Sequence, residues 1–327
     1  MNEGKIEVSI ICNAYNHEKY IADALESFVM QKTSFAFEVL VHDDASTDGT
    51  ADIIREYEAK YPDIIKPIYQ TENQYSKGPI SSRFQYPRAR GKYIAYCEGD
   101  DYWTDPEKLE KQYNALEAHP EIDMCAHSAV IVESETCREL SGIQPSNADV
   151  VFSAADVILG GGGFVATNSL FYRKSIMDEP QMKFRECLTL DYTMQIRGAL
   201  RGGLLYLSDC MSAYRYMAVG SWTVRTMSSL EKRETLYQKK QKMFAILDEE
   251  TSGKYSEVIK ERMLIEEFTH LLTMDKNKAA LQKKYKHLFS KLPLSQRVKI
   301  RIKAYFPVIV RITRVRNRKR YERKKGI

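Results

Sequence analysis

No stretch of this 327-residue chain is apolar for long enough to cross a bilayer, a passage that takes about 20 residues. The N-terminus has no apolar core of the kind a secretory signal carries. These absences lead us to expect a cytoplasmic protein. Cysteine is sparse. Cys12, Cys97, Cys125, Cys137, Cys187 and Cys210 are scattered without one C-x-x-C pair, several of them inside apolar runs, which argues against a disulfide frame or zinc site and leads us to expect buried free thiols in a reducing cytosol. Glycine is missing where one class of nucleotide enzyme needs it. "SIICNAYNHEKY" (9–20) has none, so a nucleotidyltransferase with a glycine-rich triphosphate loop near the N-terminus is disfavoured. Acidic residues nearly vanish at the other end. From Lys291 onward there are 14 Lys and Arg against the single acid Glu322, whereas the rest of the chain holds 35 basic and 43 acidic residues. The net charge of +5 therefore joins an acidic body of −8 to a strongly basic tail. Such asymmetry points to an anionic partner for the tail. The body offers no companion basic patch or nucleic-acid motif, so nucleic acid is not the expected partner.

What the chain does contain is a rhythm. "IEVSIIC" (6–12), "FEVLVHD" (37–43), "IIKPIYQ" (64–70), "KYIAYCE" (92–98) and "DMCAHSAVIVE" (123–133) are short apolar runs that read as buried strands. Between them lie helical patterns. In "HEKYIADALESFVMQ" (17–31) the apolar residues Ile21, Leu25, Phe28 and Val29 recur at helical spacing. "TDGTADIIREYEAKY" (47–61) opens with capping residues, and "DPEKLEKQYNALEAH" (105–119) has Asp105 as its expected N-cap and Pro106 in its first turn. The alternation predicts an α/β fold with a mostly parallel sheet flanked by helices on both faces. From about Ser228 the pattern becomes helical, with "LEKRETLYQKKQKMFAILDEE" and "KYSEVIKERMLIEEFTHLLTMD" nearly free of glycine. The expected organisation is an α/β domain over 1–225 and a helical extension over 226–327, with the basic tail from about 291.

In open α/β sheets, ligands sit outside the carboxyl ends of the strands. Three polar clusters fall there: Asn13 to Asn16, Asp43 to Ser46, and Glu98 with Asp100 and Asp101. The last crowds three carboxylates into four residues, and like charges so close disfavour one another. A hard divalent cation, Mg²⁺ or Mn²⁺, would relieve the repulsion while holding a diphosphate. Alternatively, Asp100 and Asp101 face the positive end of the following helix. The residues alone leave both readings open.

"VSIICNAYNHEKYIADALES", "FEVLVHDDASTDGTADII" and "GKYIAYCEGDDYWTDPEKLEKQ", in that order, resemble the inverting glycosyltransferases of family 2, which have the GT-A nucleotide-sugar fold. The likeness covers roughly the first two thirds of the chain. It implies that Asn13 and Tyr15 contact the nucleotide base and that Asp44 accepts a hydrogen bond from it. It implies that Asp100 lies against the ribose and phosphate, and that Asp101 binds the Mn²⁺ or Mg²⁺ bridging the diphosphate. A general base is implied at the head of a later helix. The matching stretch is "ECLTLDYTMQIRGALRGG" (186–203), which makes Asp191 the candidate. The family's acidic pair is here Leu190-Asp191, and Asp209 stands in reserve. "AYRYMAVGSWTV" (213–224) resembles the closing segment, with Tyr214 and Arg215 matching and Arg215 expected at phosphate. The family histidine is replaced by Met217. Lys77 and Arg83 are weaker phosphate candidates. His42 and Asp43 are expected to be structural, and Tyr102 and Trp103 to pack beneath the acidic turn. Gly160 to Gly163 would either let backbone approach the acceptor or form a flexible turn.

In the tail "RVKIRIKAYFPVIVRITRVRNRKRYERKK" (297–325), Val298, Ile302, Tyr305, Ile309 and Ile312 can share one helix face between basic residues. Such a helix suits an anionic membrane surface. The expected function is metal-dependent inverting transfer of a sugar from a nucleoside diphosphate, UDP first, to a glycan acceptor. By analogy with the family's bacterial polysaccharide enzymes the acceptor would be lipid-linked and the protein peripheral at the inner face of the membrane. The rival from another class is a catalytically inactive GT-A-like binding module, against which intact Asp44, Asp100, Asp101 and Asp191 argue.

Overall fold

The computed structural model of the chain describes residues 5–178, 182–188, 191–218, 221, 226 and 229–306. Its strands are β1 (Ile6–Ala14), β2 (Ala36–Asp43), β3 (Ile65–Tyr69), β4 (Tyr93–Tyr96), β5 (Tyr102–Trp103), β6 (Met124–Glu133), β7 (Glu139–Ile143), β8 (Val150–Phe152), β9 (Phe171–Arg173) and β10 (Leu204–Tyr216). They form one sheet in the order β3-β2-β1-β4-β9-β6-β10-β5, with β7 on β6 and β8 on β10. The parallel half is the one the rhythm predicts: β2 pairs with β1 and β3, and β1 with β4. Beyond it β9 runs antiparallel between β4 and β6, and β10 is parallel to β6 but antiparallel to β5 and β8. The chain leaves β1 to one side for β2 and β3, then returns to the other side for β4. A crevice opens where strand order reverses in this way.

Side chains alternate across β1 as a two-residue period requires. Val8, Ile10 and Cys12 join Leu25, Phe28, Leu109 and Leu116 of the helices Ile21–Val29 and Lys108–Ala118 on one face. Ile11 points to the other face, into a core with Met124, Val157, Tyr192 and Ile196. Both faces are covered, which is why these strands read as continuous apolar runs. Asp105 lies two residues further out than expected, the N-cap being Glu107, and Pro106 falls before the helix. Pro106 and Glu107 form a turn before the helix, and the Asp105 Oδ1 accepts the Glu107 N–H at 2.8 Å.

The helical extension shares this core. Met243, Phe244 and Leu247 of the helix Leu230–Glu250, with Ile259 of the helix Ser256–Thr273, pack in the same cluster as Met124 and Tyr192. Ser229 caps the first of these helices by accepting the Lys232 N–H. At its far end the Glu250 carboxylate accepts the N–H groups of Lys183 (2.7 Å) and Phe184 (3.1 Å), so the extension caps the short helix Lys183–Cys187. On the helix Leu294–Tyr305, Ile300 is buried, whereas Val298, Ile302 and Tyr305 are 47%, 41% and 61% exposed. Ile309 and Ile312 lie outside the described residues. Among the described residues no helix is long and apolar enough to cross a membrane.

Candidate active site

Register sets the edge of the site. Asn13 pairs with His42 and Ala14 with Asp43, so the carboxyl ends of β1 and β2 finish level, whereas β4 ends at Tyr96 opposite Ile11, three residues earlier. Asp44 N–H donates to the Ala14 carbonyl and Gly99 N–H to that of Asn13, both at 2.9 Å, which ties the following loops together. They border a cavity of about 930 Å³. Asn13, Tyr15, Asp44, Asp100, Asp101 and Asp191 all line it; Arg215 does not. Asn16 (φ 56°) and Ala45 (60°) directly follow Tyr15 and Asp44, and Met217 (61°) lies two residues past Arg215. Backbone strain of this kind is held where surrounding structure over-determines it, often at functional sites.

At the end bordered by Tyr15, the Asp44 carboxylate organises the loop after β3. Its Oδ1 accepts the Gln74 N–H at 2.7 Å and its Oδ2 the Tyr75 N–H at 3.1 Å. That loop brings Asn73 and Tyr75 to the cavity, neither foreseen from sequence. An aromatic just past the carboxyl end of a strand was the available signal. The Asn13 amide donates to Tyr96 Oη (2.9 Å) and Ser81 Oγ (3.1 Å), and its Oδ1 is buried without a partner among the described residues. Lys77 and Arg83 do not line the cavity. They are tied to Glu72 and Gln74 on their own loop. His42 and Asp43 do not line the cavity: His42 meets Gln70 at 3.1 Å and Asp43 accepts the Ser46 N–H, while His42 Nδ1 and Asp43 Oδ1 are buried without a partner among the described residues.

The acidic turn is strongly perturbed. Burial pushes the Glu98 carboxyl up to about 7, although Tyr96 Oη donates to it at 2.7 Å. Burial, then the charge of Asp100, raises the Asp101 carboxyl well above the ordinary range. Arg215 has a different place from the one expected. Its side chain is 1% exposed, behind the turn, where the guanidinium pairs with Asp23, donates to the Asp100 carbonyl at 3.1 Å and lies over the Tyr102 ring. A buried guanidinium requires such partners. Arg215 reaches the site through its backbone: its N–H donates to Asp101 Oδ1 at 2.8 Å. Trp103 packs beneath, its indole donating to the Asn168 carbonyl at 2.9 Å.

Among the described residues no three His, Cys, Asp or Glu side chains are grouped to enclose a metal. The acidic turn instead fits an ion held partly by substrate. Asp101 Oδ2 and the Asp100 carboxylate have no hydrogen bond to described residues, and both side chains line the cavity. One or two carboxylates, completed by phosphate oxygens and water, are a suitable set for Mg²⁺ or Mn²⁺.

Asp191 heads the helix Asp191–Ala199; Leu190 lies outside the described residues. Its Oδ1 accepts the Tyr192 N–H at 2.8 Å, and Thr167 Oγ1 donates to Oδ2. Burial raises its pKa despite these bonds, while the charge of Lys240 opposes the rise. Lys240 belongs to the extension, lines the cavity and pairs with Glu266 at 2.9 Å. Nothing in its helical repeat marked it. The glycine run is a docking surface: Gly161 (φ +78°) leaves room for the Arg262 guanidinium, which donates to the Leu159 carbonyl at 3.1 Å, and Gly162 borders the cavity. Asp209 is 60% exposed and pairs with Lys111, a structural role.

A sheet of this order, with Asp100, Asp101 and Asp191 lining one cavity in the crevice where strand order reverses, has the fold of the GT-A class. The chain belongs to glycosyl transferase family 2, whose model matches residues 9–221. It is 38% identical over 219 residues to an uncharacterised protein of Mycobacterium tuberculosis, covering 66% of this chain and 60% of that one. The chain thus spans about 60% of the length of such relatives. It is 38% identical over 112 residues to the putative teichuronic acid biosynthesis glycosyltransferase TuaG of Bacillus subtilis, covering 34% of this chain and 42% of that one. Among solved structures it is similar in fold to residues 1–349 of TarS from S. aureus in complex with UDP, with a TM-score of 0.56 and 17% identity over 89% of this chain and 77% of that one.

Proposed function

We propose that the protein moves one sugar from a nucleoside diphosphate, UDP first, to a hydroxyl of a glycan acceptor with inversion at the anomeric carbon. The observation that carries this reading is the meeting of Asp100 and Asp101 with Asp191 in one cavity from separate elements. Mg²⁺ or Mn²⁺ held by Asp101, with Asp100 beside it, would supply positive charge to the departing diphosphate. Asn13 and Tyr15 border the base end, and Asp44 fixes the loop that carries Tyr75 over it. Arg215 is a positioning residue, acting on Asp101 through its N–H. Asp191 takes the proton of the attacking hydroxyl, and Thr167 fixes its carboxylate in place. Attack from the side opposite the diphosphate gives inversion.

The name of the Bacillus relative supports a bacterial cell-surface polysaccharide as the acceptor class. The exposed stripe of Val298, Ile302 and Tyr305, set among Arg297, Lys299, Arg301 and Lys303, supports peripheral attachment at the inner face of a membrane, where a lipid-linked acceptor would be met. The full chain is expected to sediment with anionic vesicles and not with neutral ones; equal sedimentation would remove the anchor. Melting temperature against UDP, GDP, CMP and dTDP, with and without Mn²⁺, tests the donor reading. One diphosphate at about 100 times its Kd should add roughly 2.7 kcal/mol of stability, dependent on Mn²⁺. No shift with any of the four would overturn it.

A further inference from the structure

Among the described residues of the cavity wall, Arg185 is a cation with no part in the proposed transfer. Arg185 lines the cavity from the short helix Lys183–Cys187. Among the described residues its guanidinium meets no carboxylate. Its two terminal nitrogens reach only Met177 Sδ, at 3.9 Å, and its Nε is buried without a partner. Burial lowers its pKa from the ordinary arginine value. Of the carboxylates on the same cavity wall, Glu186 is exposed, Glu98 is bonded to Tyr96 and Asn13, and Asp191 to Thr167 and Tyr192, while the nearby charge of Arg197 adds to the cost of the Arg185 cation. Beside it stand Tyr86 and Tyr172, whose hydroxyls share a 2.8 Å hydrogen bond. Lys240, another cation on the cavity wall, is already paired with Glu266.

The helix that carries Arg185 is held in place. Phe184 is buried in the core beneath it, and Glu250 of the extension caps its first two N–H groups. A half-buried guanidinium without a counter-ion costs free energy, and a rigid support keeps it from swinging out to solvent. An arriving carboxylate or phosphate would offset that cost through the forked, charge-assisted hydrogen bonds that guanidinium makes with both.

We infer that Arg185, with the Tyr86–Tyr172 hydroxyl pair, is an anion subsite that selects an acidic sugar, one bearing a carboxylate or phosphate, as donor glycosyl group or as acceptor. The inference rests on the nucleotide-sugar reading of the cavity. Isothermal titration of the full chain tests it in two arms. UDP-glucuronate against UDP-glucose reports a donor source. Methyl glucuronoside and glycerol phosphate, against methyl glucoside and glycerol and each in the presence of UDP, report an acceptor source. In one arm the acidic ligand should bind roughly 10- to 100-fold more tightly, the worth of a charged hydrogen-bonded pair. Arg185→Gln should abolish that preference and leave the affinity for UDP unchanged, while Arg185→Lys restores part of it. Equal binding of acidic and neutral ligands in both arms overturns the subsite. So does a fall in UDP affinity in Arg185→Gln, which would put the guanidinium on the diphosphate. Failure of UDP itself to bind wild-type protein instead sinks the donor reading, and the acidic and neutral ligands titrated without UDP then still decide the subsite.

Discussion

Asp191→Asn is expected to lower sugar transfer by roughly 10²- to 10⁴-fold, the usual worth of a positioned general base. The UDP-induced rise in melting temperature should survive. Asparagine has the size of aspartate, and its amide oxygen can still accept from Thr167 or the Tyr192 N–H. What it cannot do is take a proton from the acceptor. Wild-type turnover should fall as pH drops through the Asp191 pKa, which burial raises from the ordinary aspartate value. The residual activity of the variant should lack that acid limb. Stability should move the other way. A carboxyl whose folded pKa is raised binds more protons folded than unfolded, so its contribution turns unfavourable as pH rises from the unfolded value through the folded one. At neutral pH the variant should therefore melt no lower than wild type, the trade of stability for activity expected at a catalytic carboxylate. Transfer within a few-fold of wild type would remove Asp191 as the base.

Asp101→Asn should erase the manganese-dependent part of the UDP-induced melting shift. Its neutral oxygen can keep the Arg215 N–H, which leaves the amide nitrogen on the side of Oδ2, the atom without a hydrogen bond to the described residues. A nitrogen carrying two hydrogens is no ligand for a hard cation. Turnover should fall by several orders of magnitude if the ion supplies several kcal/mol of charge stabilisation. Without nucleotide the variant should be at least as stable as wild type near neutral pH, because a buried charge beside Asp100 has gone. A manganese-dependent shift equal to that of wild type would sink the assignment of Asp101.

The parallel half of the sheet was legible because each strand is buried on both faces and reads as an unbroken apolar run. The wall carrying Asn13, Asp44, Asp100 and Asp101 was legible for the same reason, since strand ends locate the loops. Residues whose roles depend on distant partners were not. Arg215 matched a motif, but its guanidinium answers to Asp23 and Asp100, and no local pattern shows that a cation will be drawn behind the acidic turn instead of into the cavity. Thr167 and Lys240 approach Asp191 from before and after it in the chain, one from a turn and one from a long helix. Arg185 sits between Lys183 and Glu186 in a short charged stretch. That its guanidinium meets no carboxylate among the described residues is a property of the packed structure alone.

The bond from the Arg215 N–H to Asp101 spans 114 residues, and the pairing of its guanidinium with Asp23 spans 192. Loops that long close late. On a ribosome the parallel strands, the Asp44 loop and the turn at Glu98 can all emerge while the segment that fixes Asp101 is still unmade. Under the proposed function, the nascent chain would hold most of the crevice but no organised acid turn, so competence to bind a diphosphate would arrive only with β10.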